Sequence, residues 1–219
     1  MDLIGLYKKM ILSLVPENLK KQLSSEKGEI GEGIKYYLLA ALVVDIIFLI
    51  SMGLQIALSG AGTALEGGYG DATGFLGLSV VLIVGILILI PVMMVVGSLI
   101  TTGLGYILCR ILGGTGTYAN QFYHFAVVGG GLAVVNSIVG LVPCIGSLIT
   151  LALSLYYIYP TFLIYRSVHK LSNTRAGFVA LFPLILAIIL LVVAVVLFAS
   201  AMTALLGSMS SMNGGSYPY

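Results

Sequence analysis

LGGTGTYANQ at residues 112–121, LVPCIGS at 141–147 and VHKLSNTRA at 168–176 are three interruptions in a chain that is otherwise predominantly apolar from residue 36 onward. A membrane-spanning helix needs about 20 mainly apolar residues. The interruptions set off runs at about 122–142, 148–165 and 177–204, and two more lie upstream, at about 36–58 and 78–108. The fold class is therefore an all-α integral membrane protein, a five-transmembrane-helix bundle with an N-terminal amphipathic helix. Because the turn at 143–147 is short, the third and fourth spans are expected to form an antiparallel hairpin.

Composition agrees. Of 219 residues, 59% are hydrophobic and 8% charged, against roughly 45–50% and 25% in soluble domains. The net charge of +2 says nothing about nucleic acid, for which there is no basic tract, but the placement of the charges is informative. With five spans, all ten Lys and Arg residues fall on one side: six within 1–35, then Arg110, Arg166, Lys170 and Arg175. The positive-inside rule makes that side, and the N-terminus, cytoplasmic, with the C-terminus external or luminal. In a prokaryote this would be the cell membrane. No cleavable signal is expected, since Asp2, Lys8 and Lys9 interrupt the first apolar residues. Cys109 and Cys144 would sit at opposite ends of the third span, too far apart for a disulfide.

Residues 1–35 read as a cytoplasmic amphipathic and charged segment. Leu3, Ile4, Tyr7, Met10, Ile11, Leu14 and Val15 recur at helical spacing, and Pro16 marks the end. Two placements are open for this helix: flat on the membrane surface with its apolar side down, or packed on the protein's own helices. Residues 17–35, with Gly28, Gly31 and Gly33, are expected to form a second short helix and a flexible link. The stretch 59–77 is expected to be a Gly-rich acidic loop and 205–219 a flexible external tail.

Within the spans, Asp45 is the sole acid or base well inside hydrocarbon. Thirteen Leu, Ile, Val and Phe residues in 36–58, at roughly 0.3–0.6 kcal/mol each, outweigh the roughly 3 kcal/mol cost of a central Asp. Its carboxyl either hydrogen-bonds Asn136 or Tyr and Thr groups to fix packing, pairs with a cation such as Arg110, or forms an ion or proton site. Tyr156 and Tyr159 are further intramembrane polar candidates. Tyr36, Tyr37, Tyr106, Tyr118 and Tyr123 form an interfacial belt. Pro91, Pro160 and Pro183 are expected to kink their helices. Gly97, Thr101 and Gly105 in the second span, and Gly129, Ala133 and Ser137 in the third, follow the small-xxx-small spacing that permits close helix approach. These two helices are the first candidates for neighbours, and faces of this kind left open favour a homo-oligomer.

Enzyme chemistry finds no support. There is no Gly-x-Ser-x-Gly elbow, His-Glu-x-x-His or phosphate-cradling Gly-x-x-x-x-Gly-Lys sequence. No ligand spacing links Cys109, His124 and His169, so neither a metal nor a cofactor is expected.

The ordered set of the Gly113-Gly114-x-Gly116-Thr117 turn ending in Gln121, the 141–147 turn, the Tyr-rich fourth span and the 168–176 stretch resembles the Yip-domain family, membrane proteins named for interacting with Ypt/Rab GTPases. The resemblance implies a five-span fold and a non-enzymatic scaffold or adaptor in membrane organisation or trafficking, with a Rab-type GTPase as partner by family analogy. Where eukaryotic members carry a long acidic region with an Asp-Leu-Tyr-Gly-Pro-type motif, this sequence has its 35-residue lysine-containing segment, more like the prokaryotic members. The expected partner surface is that segment with the Gly-turn and the basic residues Arg110, Arg166, Lys170 and Arg175. Two other classes compete: a passage protein for an ion, small solute or lipid using Asp45 and the Pro-containing helices, and a membrane-shaping protein acting through its N-terminal helix. Membrane lipids are partners in every case.

Overall fold

The computed structural model describes residues 3–65, 72–142 and 145–213. They form seven helices: α1 (Leu3–Ser13), α2 (Pro16–Ser25), α3 (Ile30–Leu65), α4 (Ala72–Ile111), α5 (Tyr118–Val139), α6 (Ile145–His169) and α7 (Asn173–Asn213). Among the described residues there is no strand. Helices α3 to α7 each contain a stretch long and apolar enough to cross a membrane, so the five-span reading holds.

The boundaries differ from expectation in an instructive way. Helix α3 begins at Ile30, absorbing residues expected in a flexible link, and runs on to Leu65, while α4 begins at Ala72. Both helices thus enter the stretch expected to be a loop, of which 66–71 lie outside the described residues. Backbone groups in or near lipid are best satisfied by their own helix, and this outweighs the modest propensity cost of several glycines. Pro91, Pro160 and Pro183 likewise sit inside α4, α6 and α7, which continue through them. Pro16 takes the first position of α2, where its missing N–H is not needed, which is why α1 stops there. Helix α7 continues beyond residue 204, the expected end of the fifth span, and 214–219, the remainder of the expected tail, are not described.

The chain divides into two compact units, Met1–Ala180 and Leu181–Tyr219. The second holds the rest of α7, a nearly uninterrupted run of aliphatic residues from 184 to 197.

Helix α5 is central to the first unit. Its polar first turns and its glycines touch α1, α3, α4 and α6. Along α3, Gly33 faces Phe122 and Tyr123, Tyr36 meets Tyr123, Tyr37 meets Phe122 and Ala40 meets Gly130. The pairs ascend together, so α3 and α5 run the same way. Helix α6 runs against them, with Tyr165 on Phe125 and Tyr157 near Gly129, as the expected hairpin requires. Helix α1 lies across all three. Tyr7 Oη donates to Leu39 O of α3 at 2.7 Å, Met10 sits on Gly130 and Gly131 of α5, and Leu14 O accepts from Tyr156 Oη of α6.

The close approaches therefore differ from those read off the small-residue spacing. Gly97 has nothing within 4 Å, and a Cβ at Gly105 would collide with the Tyr165 hydroxyl of α6. A Cβ on Gly129 would stand 3.1 Å from Tyr37 Oη, while Ala133 and Ser137 are half-buried. The helices α4 and α5 do touch, but the glycine of α5 that meets a neighbour's backbone most closely is Gly131, where a Cβ would stand 2.6 Å from the carbonyl oxygen of Met10. In lipid such van der Waals contact largely replaces the hydrophobic drive between spans.

Gly131→Ala should therefore displace α1 and lower stability by about 1–3 kcal/mol, read as a lower unfolding temperature in detergent and faster proteolysis within 1–29. Gly31→Ala, with nothing within 4 Å, should do neither.

Candidate functional site

The polar residues of the first unit concentrate where α3, α5 and α7 start and α4 and α6 end. This basic end is built on the 112–117 turn. Gly113 adopts φ +87°, its N–H bonds Arg110 O, and the N–H of Gly114 bonds Cys109 O at 2.8 Å. This is the Schellman closure of a helix, which needs a residue in the left-handed region at that position. The turn then presses on α6. A Cβ on Gly114 would meet Cys109 O and the His169 side chain, one on Gly116 would strike Val168 O, and Thr115 N–H caps His169 O at 3.1 Å. Thr117 is the N-cap of α5, its hydroxyl accepting from Asn120 N. Two cations brace the turn from outside: Arg110 Nη1 donates to Gly114 O at 3.1 Å and Arg175 Nη1 to Leu112 O at 2.9 Å.

Gln121, fully buried, points from the first turn of α5 into this junction. Its Nε2 donates to Thr102 O of α4 at 2.7 Å, and its Oε1 lies 2.7 Å from His169 Nε2 of α6. A carbonyl can only accept, so the Thr102 contact fixes the amide orientation, and the free amide oxygen then requires the proton on His169 Nε2. One side chain ties three helices. Tyr106 packs edge-on against Tyr118 and beside His169, with Arg110 over its outer face.

A second network fastens the N-terminal helices. Lys9 Nζ lies 2.5 Å from Glu26 Oε2 and 2.6 Å from Tyr123 Oη, Tyr123 Oη donates to the same carboxylate at 2.8 Å, and Gly28 N–H bonds Asn120 Oδ1 at 3.0 Å. Partial burial favours the neutral form of Glu26, but the Lys9 and Tyr123 hydrogen bonds with the Lys9 charge outweigh it, and its pKa lies below the ordinary carboxylate value. A lowered folded-state pKa means the contribution is complete above the unfolded-state value and disappears as pH falls through the folded one.

Of the residues singled out from sequence, Gly113, Gly114, Gly116, Thr117, Gln121, Arg110 and Arg175 thus converge. Arg166 and Lys170 are at the same end, exposed, Lys170 in the left-handed region at φ 55°. Asp45 is elsewhere. It is buried well along α3, its Oδ1 without a hydrogen-bond partner, and Arg110, weighed as its partner, is engaged at the turn. Extending the register of Gly33 on Phe122 and Ala40 on Gly130 puts Asp45 level with Asn136, whose Oδ1 is also buried and unpartnered. Tyr156 is spent on Leu14 and Tyr159 is exposed. His169, Thr102, Lys9 and Glu26 were not foreseen as members of these networks. Their partners are distant in sequence, so no spacing could have flagged them. Among the described residues, no three His, Cys, Asp or Glu side chains gather as a metal set. Cys109 is buried and free, and Cys144 lies outside the described residues.

Five spanning-length helices locked at a basic, glycine-turned end define a multi-pass integral membrane protein. The family model for the Yip1 domain matches residues 29–196, about three quarters of the chain, and the protein belongs to that family. No curated protein and no solved structure matches it.

Gln121→Leu strands the His169 Nε2–H and should cost about 1–3 kcal/mol, whereas adding His169→Phe should restore part of the loss because both polar partners are then gone. Thermal unfolding of the two variants checks this. The stability gap between the native protein and Glu26→Gln should be open at neutral pH and close in acid, measured by unfolding across a pH series.

Proposed function

We propose that the protein is a non-enzymatic membrane adaptor whose basic end faces the cytoplasm and holds a protein partner. The observation carrying this reading is the interlocked basic end. Backbone closure at Gly113 and Gly114, the Gln121 bridge and the Arg110 and Arg175 contacts fix the α4–α5 and α6–α7 connections to one another, which presents Arg166 and Lys170 outward on a rigid base. Preformed loops of this kind suit recognition because little ordering is needed on binding. A Rab-type GTPase is the partner the family resemblance implies, and it would meet this surface. The open faces of Gly97 and Thr101 on α4 support a second copy of the chain alongside.

A photo-reactive residue at exposed Ser172 should cross-link a protein partner in native membranes, and Arg166→Glu with Lys170→Glu should abolish that product while leaving the unfolding temperature within about 1–2 °C of native, as expected for surface changes of about 0.5 kcal/mol. Unchanged cross-linking would rule this surface out.

A second reading has its own observation. The buried oxygens of Asp45 and Asn136, each without a hydrogen-bond partner, support an intramembrane polar site, and buried ionisable groups in spans are associated with passage of ions or solutes. Flux of protons, monovalent ions or a labelled lipid through proteoliposomes, lost in Asp45→Asn with the fold intact, would replace the adaptor by a transport protein. No flux in either protein would remove the second reading.

A further inference from the structure

Helix α1 sits unexpectedly deep. It touches α3 at Leu39, α5 at Gly130 and α6 at Tyr156. At ~1.5 Å per residue these levels lie roughly 14–20 Å along their helices from the basic end. They also lie roughly 6 Å beyond Lys35 on α3 and 15 Å beyond Arg166 on α6, at the same rise. Helices that lie in the membrane interface reach about 5–10 Å into the headgroup and acyl boundary. Exposed Glu17, Asn18, Lys20 and Lys21 follow directly on Leu14 and Val15, so this level suits the headgroup boundary rather than the hydrocarbon interior, and the open face of α1 lies along it.

That face is apolar. Met10 and Ser13 are buried on the bundle, while Ile4, Ile11 and Val15 stand on the outer side, Ile4 at 78% exposure. Ile4 and Ile11, seven residues apart, share one face of α1, and Val15 follows in the turn to α2. Beside this apolar stripe, α1 and α2 border a shallow, open groove of about 350 Å³, lined by Lys8, Lys21, Leu12, Asn18, Ser25 and the Lys9–Glu26 pair. Glu26 is already neutralised by Lys9. Lys8 and Lys21 are exposed, and their ammonium groups have no hydrogen-bond or ion-pair partner among the described residues. The groove therefore carries two free positive charges, with amide and hydroxyl groups, next to an apolar strip. Its complement is an anion with hydrocarbon attached.

We infer that the groove between α1 and α2 binds the phosphate of an anionic phospholipid, gripped by Lys8 and Lys21, with acyl chain along Ile4, Ile11 and Val15. A free phosphate would make no use of the apolar stripe.

Native mass spectrometry of the full chain in detergent, titrated with phosphatidylglycerol, phosphatidylcholine or soluble glycerol phosphate, tests the site. Phosphatidylglycerol should be retained in preference to both others. Lys8→Ala with Lys21→Ala should weaken that retention by roughly tenfold or more, and Lys8→Arg with Lys21→Arg should preserve it. Lys20→Ala with Lys27→Ala, which removes the same charge from exposed positions that do not line the groove, should leave it near native. Ile4→Ser with Ile11→Ser should weaken lipid retention while leaving both lysines in place. Equal losses in the two alanine pairs would reduce the effect to general surface charge and overturn the site. Binding of glycerol phosphate as tight as that of the lipid would overturn the lipid as its ligand.

Discussion

The carboxamide of Gln121 is the joint on which the basic end depends. Spans in a bilayer gain little from hiding apolar surface from one another, because lipid is as apolar as a Leu side chain. Directional contacts must then set which helix lies beside which and at what height. Gln121 does this for α4, α5 and α6 at once, and the 112–117 turn joins α4 to α5 at the same level. Gly114 and Gly116 are small because the turn passes directly over the end of α6. With α5 and α6 held there, Phe122 and Tyr123 face α3, and Gly130 and Gly131 face the cross-lying α1. The polar first turn of α5 and its glycine-rich middle are thus two parts of one arrangement: hydrogen bonds fix the height, and missing side chains admit the neighbours.

Much of this was legible in the sequence, for reasons that differ from feature to feature. The spans were readable because crossing a bilayer is a matter of length and apolarity, both local. The turn was readable because a left-handed residue at Gly113 and an N-cap at Thr117 leave chemical marks at fixed offsets. The extents of α3 and α4 were not, since Gly-rich sequence signals a break in water, where an open backbone is solvated, and carries less force next to lipid. Small-residue spacing identified α5 as a helix that packs closely but did not single out the glycine on which α1 sits. Gly129, Ala133 and Ser137 repeat neatly, whereas the backbone of Met10 arrives at Gly131, a position that belongs to no repeat. The partners that Gln121 and Glu26 find on other helices were beyond reach because residues 17 to 97 apart in sequence meet through tertiary structure alone.

Helix α1 takes the second of the two placements its sequence leaves open, packed on the protein's own helices, and still carries an apolar outer face. Its apolar positions 3, 4, 6, 7, 10, 11, 14 and 15 cover more than the single stripe that either a surface helix or a packed helix needs. Leu6, Tyr7, Met10 and Leu14 turn to the bundle, and Ile4, Ile11 and Val15 turn away from it. Lys9 reaches from between these faces to Tyr123 and Glu26 near the start of α5, a long stem bringing its charge toward the basic end. A helix that only lay on the membrane would have no use for the first face. The second stays open, separated from it by lysines, and the ion pair at Glu26 then fixes where α2 returns the chain to the basic end.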